Sequence, residues 1–382
     1  MTEAFRWPLR PLRAVFARLI IGGRVAPRAD TVSTASRLTT EEQETAWRDR
    51  RRTRGLQTRA VVVLLASAGC SLIASDAVAA GSGRVIVSNE KSNTLTVLDA
   101  NHEVVQTIET CARPRGMHFS ADRSKFFVGC ADDSTIAIYE TASLKLVSRI
   151  RNAEEPETFD LHPDGRRLYV SNEEDSAASV FDVETGELIA EYETGAEPEG
   201  VQITSDGRLV FVASEAANLV HVIDTEKDAV IKSILVDTRP RRFALTADEK
   251  ELWVSAELAG IVDIIDIETL TLVGDITFLP TGYRKEQVTP VDVLITRDGS
   301  RAYVALGRAN HVAVVDVATR SVLKYILVGK RAWGLALTAD EKTLYVANGL
   351  SDDITIIDTQ SLRAVKSVPV GMVPYGILID DQ

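Results

Sequence analysis

Seven short turns in this sequence carry charged and aromatic side chains at regular intervals. They read Arg113-Pro114-Arg115-Gly116, Glu155-Pro156-Glu157-Thr158, Glu197-Pro198-Glu199-Gly200, Arg239-Pro240-Arg241-Arg242, Thr289-Pro290-Val291-Asp292, Arg331-Ala332-Trp333-Gly334 and Val373-Pro374-Tyr375-Gly376. Arginine forks take a carboxylate or phosphate through paired N–H donors. Neighbouring glutamates can hold a hard cation through oxygen ligands. Trp333 and Tyr375 would add an aromatic wall, and His118, Asp160 and Gln202 would sit just below. Glu90, Glu173, Glu215 and Glu257 recur at a second position of the same repeat. A plainer use is open to the same residues. Arginine and glutamate can simply pair with one another, which stabilises by about 0–1 kcal/mol where the pair is exposed.

The spacing says what must position them. The central residues of the turns are 114, 156, 198, 240, 290, 332 and 374, so the interval is 42 except for one of 50. Eight extra residues fall around Phe278–Gln287. After each turn, apolar residues alternate with small or polar ones, as in Met117-His118-Phe119 and Phe159-Asp160-Leu161, the period of a strand. A second strand recurs as VIVSN (85–89), LYVSN (168–172) and LYVAN (344–348). A third ends in an acid at Asp99, Glu140, Asp182, Asp224, Asp266, Asp316 and Asp358, where turn or cap chemistry is expected rather than catalysis. A fourth resembles VVQTIET (104–110). Tight-turn pairs such as Asp164-Gly165 separate the first two.

Four short strands repeated in tandem at about this length predict a β-propeller. The fold expected is all-β, with seven four-stranded blades over residues 81–382. The chain begins that region on the second strand type and ends on the first, so the C-terminal strand should complete the N-terminal blade and close the ring.

Residues before the repeats are a different kind of chain. Arg50–Arg52, Arg54 and Arg59 precede the apolar run AVVVLLASAGCSLIA (60–74), and Ala77-Val78-Ala79 follows it. That is the layout of a secretory signal, too short for a membrane span. Residues 58–80 are therefore expected to be a signal peptide and 1–57 an extension or a misplaced start. The compartment expected is the periplasm, with no membrane span after processing. There, Cys111 and Cys130 are a candidate disulfide, with two free thiols as the alternative.

The 382-residue chain is 45% hydrophobic with a net charge of −12. Acidic residues outnumber basic ones 55 to 43, which argues against nucleic acid, whose phosphates call for clustered Lys and Arg. The five histidines have no ligand spacing, and no haem, dinucleotide, P-loop or nucleophile-elbow motif occurs. No resident cofactor or metal is expected.

The Leu-Tyr-Val-(Ser/Ala)-Asn strand, with its following Val-x-Val-Ile-Asp, resembles the YVTN-type propeller repeat. Arg239-Pro240-Arg241, Glu251–Ser255, Gly307–Asp316, Tyr325–Gly329 and Asn348–Asp353 resemble the β-propeller proteins associated with PQQ-dependent catabolism. That resemblance implies a periplasmic protein made alongside quinone-dependent alcohol oxidation. Its partners would be a PQQ-dependent dehydrogenase, its cytochrome or an ABC transporter component. The function expected is non-enzymatic binding of a small molecule or partner through a charged funnel. The alternative is a lactonase-type hydrolase using the same funnel.

Overall fold

The computed structural model describes residues 81–382. The expected extension (1–57) and signal segment (58–80) lie outside the described residues. The described chain forms seven antiparallel four-stranded sheets. Blade 1 joins Pro374–Asp380 to Arg84–Asn89, Thr94–Leu98 and Val104–Glu109, so the last strand completes the first blade. Its register pairs Val85 with Ile379 and Val87 with Ile377. Blades 2 to 7 begin at Pro114, Pro156, Pro198, Pro240, Val293 and Ala332. We call the strands of each blade a to d, from the channel outwards. Each a strand packs against the a strands of both neighbouring blades, which closes the ring.

Burial follows this order. The b and c strands are almost wholly buried, while the d strand of blade 1 is mostly exposed. The apolar residues form seven clusters, one at each junction between adjacent blades. Ile86, Leu95 and Val97 of blade 1, for example, meet Phe126, Val128 and Tyr139 of blade 2. Val85, Leu98 and Ile379 meet Tyr345 and Ile356 across the closing junction. A blade is therefore stable only against its neighbours.

The recurrent b-strand motif stitches the ring. Ser88, Ser171 and Ser255 donate to the carbonyls of Arg115 (2.8 Å), Glu199 (2.8 Å) and Val291 (2.6 Å) on the next blade. The same hydroxyls accept the amides of Gly376, Thr158 and Arg242 on their own blade. Asn89, Asn172 and Asn348 donate to Thr96, Ser179 and Thr355 of the c strand. The c-strand acids cap the turns that follow, as Asp182 does for the amides of Glu184 and Thr185 (2.9 Å each). The extra residues after blade 5 bury Phe278 and Val288 in the junction with blade 6, whose a strand is cut to Val293–Ile295.

Candidate functional site

Each proline turn places two side chains at the mouth of the channel. The residue before the turn centre, which is proline except for Ala332 in blade 7, has a left-handed backbone at Arg113, Glu155, Glu197, Arg239, Arg331 and Val373, with φ between 48° and 68°. Its amide is held by the preceding blade: Asn93 Oδ1 accepts from Arg113 N (3.0 Å), Asn218 from Arg239 (2.9 Å) and Asn310 from Arg331 (2.8 Å). Its carbonyl accepts from the residue after the b strand, as Arg239 O does from Glu257 N (2.8 Å). This second contact carries Glu90, Glu173, Glu215 and Glu257 to the mouth.

The residue after the proline points inward and is buried in every charged case. Arg115, Glu157, Glu199 and Arg241 are all at most 6% exposed. They form a lattice across blades 2 to 5. Arg115 pairs with Glu157 and lies 3.9 Å from Glu199 and from Glu90. Arg241 pairs with Glu199 (2.8 Å), Glu215 and Glu257 (3.3 Å). Above this layer, Arg113 reaches Glu90 (3.6 Å), Glu155 and Glu157 (3.1 Å). Arg239 reaches Glu215 and Glu257 (3.3 Å). The aromatic wall completes the ring: Arg115 lies 4.4 Å from the Tyr375 ring centroid, and Arg241 and Arg331 lie 4.9 and 4.5 Å from that of Trp333.

Carboxylates outnumber guanidinium groups here, and burial decides who keeps a proton. Burial pushes the Glu157 carboxyl well above its usual range despite Arg115. It pushes Glu215 up to about 8 against the pull of Arg241 and Arg239, and Glu173 also upward. Glu199 is buried too, but Arg241, Arg115 and Arg242 together hold it below the usual value. Glu155, Glu157 and Glu173 bring carboxylate oxygens within 4.8 Å of one another. Arg113 and Arg115 already occupy two of the three, so the cluster is better neutralised by guanidinium and protons than by a cation.

One residue deeper lies a cavity of about 130 Å³, lined by Arg242, Asp292, Tyr375, Thr158, three glycines and apolar residues of four blades. Arg242 donates to Tyr375 Oη (2.6 Å). Asp292 accepts from Val293 N (2.9 Å) and Leu335 N (2.8 Å), and burial raises its carboxyl. Deeper still, His118 Nε2 is 3.2 Å from Asp160. Burial pulls that imidazole down, but Asp160 and the Phe119 carbonyl lift it above its usual value. An open groove of about 630 Å³ on the other face, between blades 5 and 6, is lined by turn residues such as Asp248 and Asp298 and crossed by the Arg320–Glu251 pair.

Seven blades alone do not name a family, but the sequence profile of one family matches residues 76–336 and 299–381. The chain belongs to the YNCE-like beta-propeller family. A search of curated proteins returns no match. Among solved structures, hydrazine synthase of Kuenenia stuttgartiensis is 23% identical, with a TM-score of 0.62 over 69% of this chain and 88% of that one. A protein of unknown function from Desulfotomaculum acetoxidans is 18% identical, with a TM-score of 0.67 over 78% and 99%. A protein of Bacteroides fragilis, provisionally assigned as a 6-phosphogluconolactonase, is 17% identical, with a TM-score of 0.67 over 78% and 97%. These likenesses show the fold.

In this YNCE-like propeller the turn residues do converge, but not as an open funnel. Arg113, Glu155, Glu197 and Arg239 form the rim, and Glu197 is exposed. Arg115, Glu157, Glu199, Arg241 and Tyr375 form a buried plug beneath it. Arg242, Asp292, His118 and Asp160 lie below the plug, in the channel. The Arg–Glu pairs expected to be exposed are largely buried, because each a strand presses its side chains against the next blade. Glu215 and Glu257, read as candidate cation ligands, are held by Arg239 and Arg241 instead. Cys111 and Cys130 are joined by a disulfide at the start of blade 2. Sequence reasoning left out Arg331, which stacks on Trp333 and lies 3.5 Å from Glu257. Its place before the turn centre, equivalent to Arg113 and Arg239, was the available signal.

Proposed function

We propose that this protein is an exported, non-catalytic binding propeller of PQQ-dependent alcohol catabolism, and that its charged rim docks a periplasmic protein. The partner classes are a quinone-dependent dehydrogenase, its cytochrome, or a component of an ABC transporter. The observation that supports this reading is the plug. With Arg115, Glu157, Glu199, Arg241 and Tyr375 buried against each other, the mouth presents a surface rather than a hole. Around it stand exposed Glu174, Asp175 and Glu197 and exposed Leu258, Leu350 and Met372. Charge around scattered apolar points is the composition of a protein interface. A hydrolase would need a reacting group open to substrate, and the buried Glu157, Glu199, Glu215 and Glu257 are paired with arginine. The likeness to the Bacteroides fragilis protein is one of fold.

The test is surface plasmon resonance of the mature protein, made from the full-length gene. It is run against the purified dehydrogenase, cytochrome and transporter binding protein. One of them should bind, more weakly at high salt, and at least tenfold more weakly to the double variant Glu174→Lys, Glu197→Lys. Binding to none of the three, with turnover of a lactone panel, would return the reading to a hydrolase.

A further inference from the structure

From the cavity beneath the plug, we infer that the channel is a binding site for a short-chain monocarboxylate. The carboxylate would sit on Arg242, and the alkyl part would lie against Met117, Phe159, Leu335 and Ile377. This site is separate from the rim and does not depend on the partner reading.

The first observation is an asymmetry among the mouth arginines. Arg113, Arg115, Arg239, Arg241 and Arg331 each have a carboxylate within 4 Å. Arg242 has none among the described residues. Its guanidinium donates one hydrogen bond, to Tyr375 Oη at 2.6 Å, and lies 5.2 Å from the ring of the same tyrosine. Glu199 and Asp292 feel its charge only from beyond ion-pair distance, so the guanidinium keeps donors free for an anion.

The second observation is what Asp292 does. It shares the cavity and looks like the missing partner, yet both its oxygens take backbone amides, Val293 on blade 6 and Leu335 on blade 7. Asp160 makes the same clamp between blades 3 and 4, accepting from Leu161 N and Ile203 N at 2.9 Å each. Asp292 is therefore a joint between blades. The cavity offers a ligand one cation and no free anion, which favours a simple carboxylate over a zwitterionic amino acid.

The third observation is size and lining. At about 130 Å³, the cavity is close to one that holds benzene, so it takes about six non-hydrogen atoms. Gly116, Gly334 and Gly376 occupy the ring position that Arg242 and Asp292 fill on blades 5 and 6. A Cβ on Gly116 would come 2.8 Å from the Glu157 carbonyl oxygen, and one on Gly334 2.1 Å from that of Tyr375. Close strand packing thus requires glycine there, and the channel is left wide beside the arginine. Apart from Thr158, the remaining side chains of the wall are the apolar Met117, Phe159, Leu335 and Ile377, which fits propionate or butyrate better than inorganic phosphate. With the mouth plugged, access is from the other end, past His118 and Gln202, which keep contact with solvent.

Titration calorimetry with sodium propionate tests the site on the protein made from the full-length gene. Saturable 1:1 binding is expected, with butyrate comparable and both octanoate and phosphate at least tenfold weaker. Arg242→Gln should weaken propionate at least tenfold, and Arg242→Lys should fall between. Lys330→Gln, an exposed lysine on the rim side, should stay within twofold. In the unmutated protein, propionate should also slow phenylglyoxal modification of Arg242, read by mass spectrometry, so the test survives a variant that fails to fold. No saturation by about 10 mM propionate would overturn the inference. So would unprotected Arg242, or equal loss in the Arg242 and Lys330 variants.

Discussion

Glu215 shows how a residue read as a ligand becomes a proton store. It lies 4% exposed between Arg239 and Arg241, and its carboxyl is raised to about 8 by burial. A carboxyl whose folded value is raised holds its proton longer in the folded chain than in the unfolded one. Its stabilisation is complete below the unfolded value, near 4.5, and is lost as pH rises through about 8. Stability should therefore fall across that window with a slope of about 1.4 kcal/mol per pH unit for one proton. Melting temperatures followed from pH 5 to 8 check this, and Glu215→Gln should flatten the slope. An unchanged slope in the variant would show that another group carries the proton. The residue types at the mouth were legible in the sequence. Which carboxyls are buried was not, because burial depends on how closely neighbouring blades approach.

The turn that opens blade 2 carries the disulfide between Cys111 and Cys130, which are 19 residues apart. Both cysteines sit in the junction with blade 1, beside Phe119 and Tyr139. Closing a loop of this length stabilises by about 3 kcal/mol through the unfolded chain. The double variant Cys111→Ala, Cys130→Ala should lose about that much in denaturant titration, and reduction of the wild type should lower its midpoint similarly. Equal midpoints with and without reductant would contradict the bond. At this scale the sequence was most informative. The alternation after each proline, the Asp-Gly turns and the c-strand acids all became what their spacing implied, because strand period and turn hydrogen bonds are set within one blade. The short a strand of blade 6 was less legible, since Phe278 and Val288, on either side of the inserted residues, fill its junction.

For the whole molecule the decisive feature is closure. Pro374–Asp380 pairs with Arg84–Asn89 and packs on the a strands of blades 2 and 7. Removing residues 374–382 would leave a b strand as an open edge and strip Ile379 from the closing cluster, which exposes strands to self-association. The truncated chain should lose cooperative unfolding and elute as aggregate in size-exclusion chromatography. A monomeric, cooperatively melting product would mean that closure is dispensable.

Length, a 42-residue period and a permuted strand order determined by themselves that this chain is a seven-bladed ring, because repeated local patterns leave one way to bury all their apolar faces. They also brought the right turns to one mouth. Only the tertiary structure decided that the mouth is plugged, that Asp292 is a clamp and that Arg242 has no carboxylate within ion-pair distance. Those facts arise from pairings between different blades, at distances no local pattern encodes.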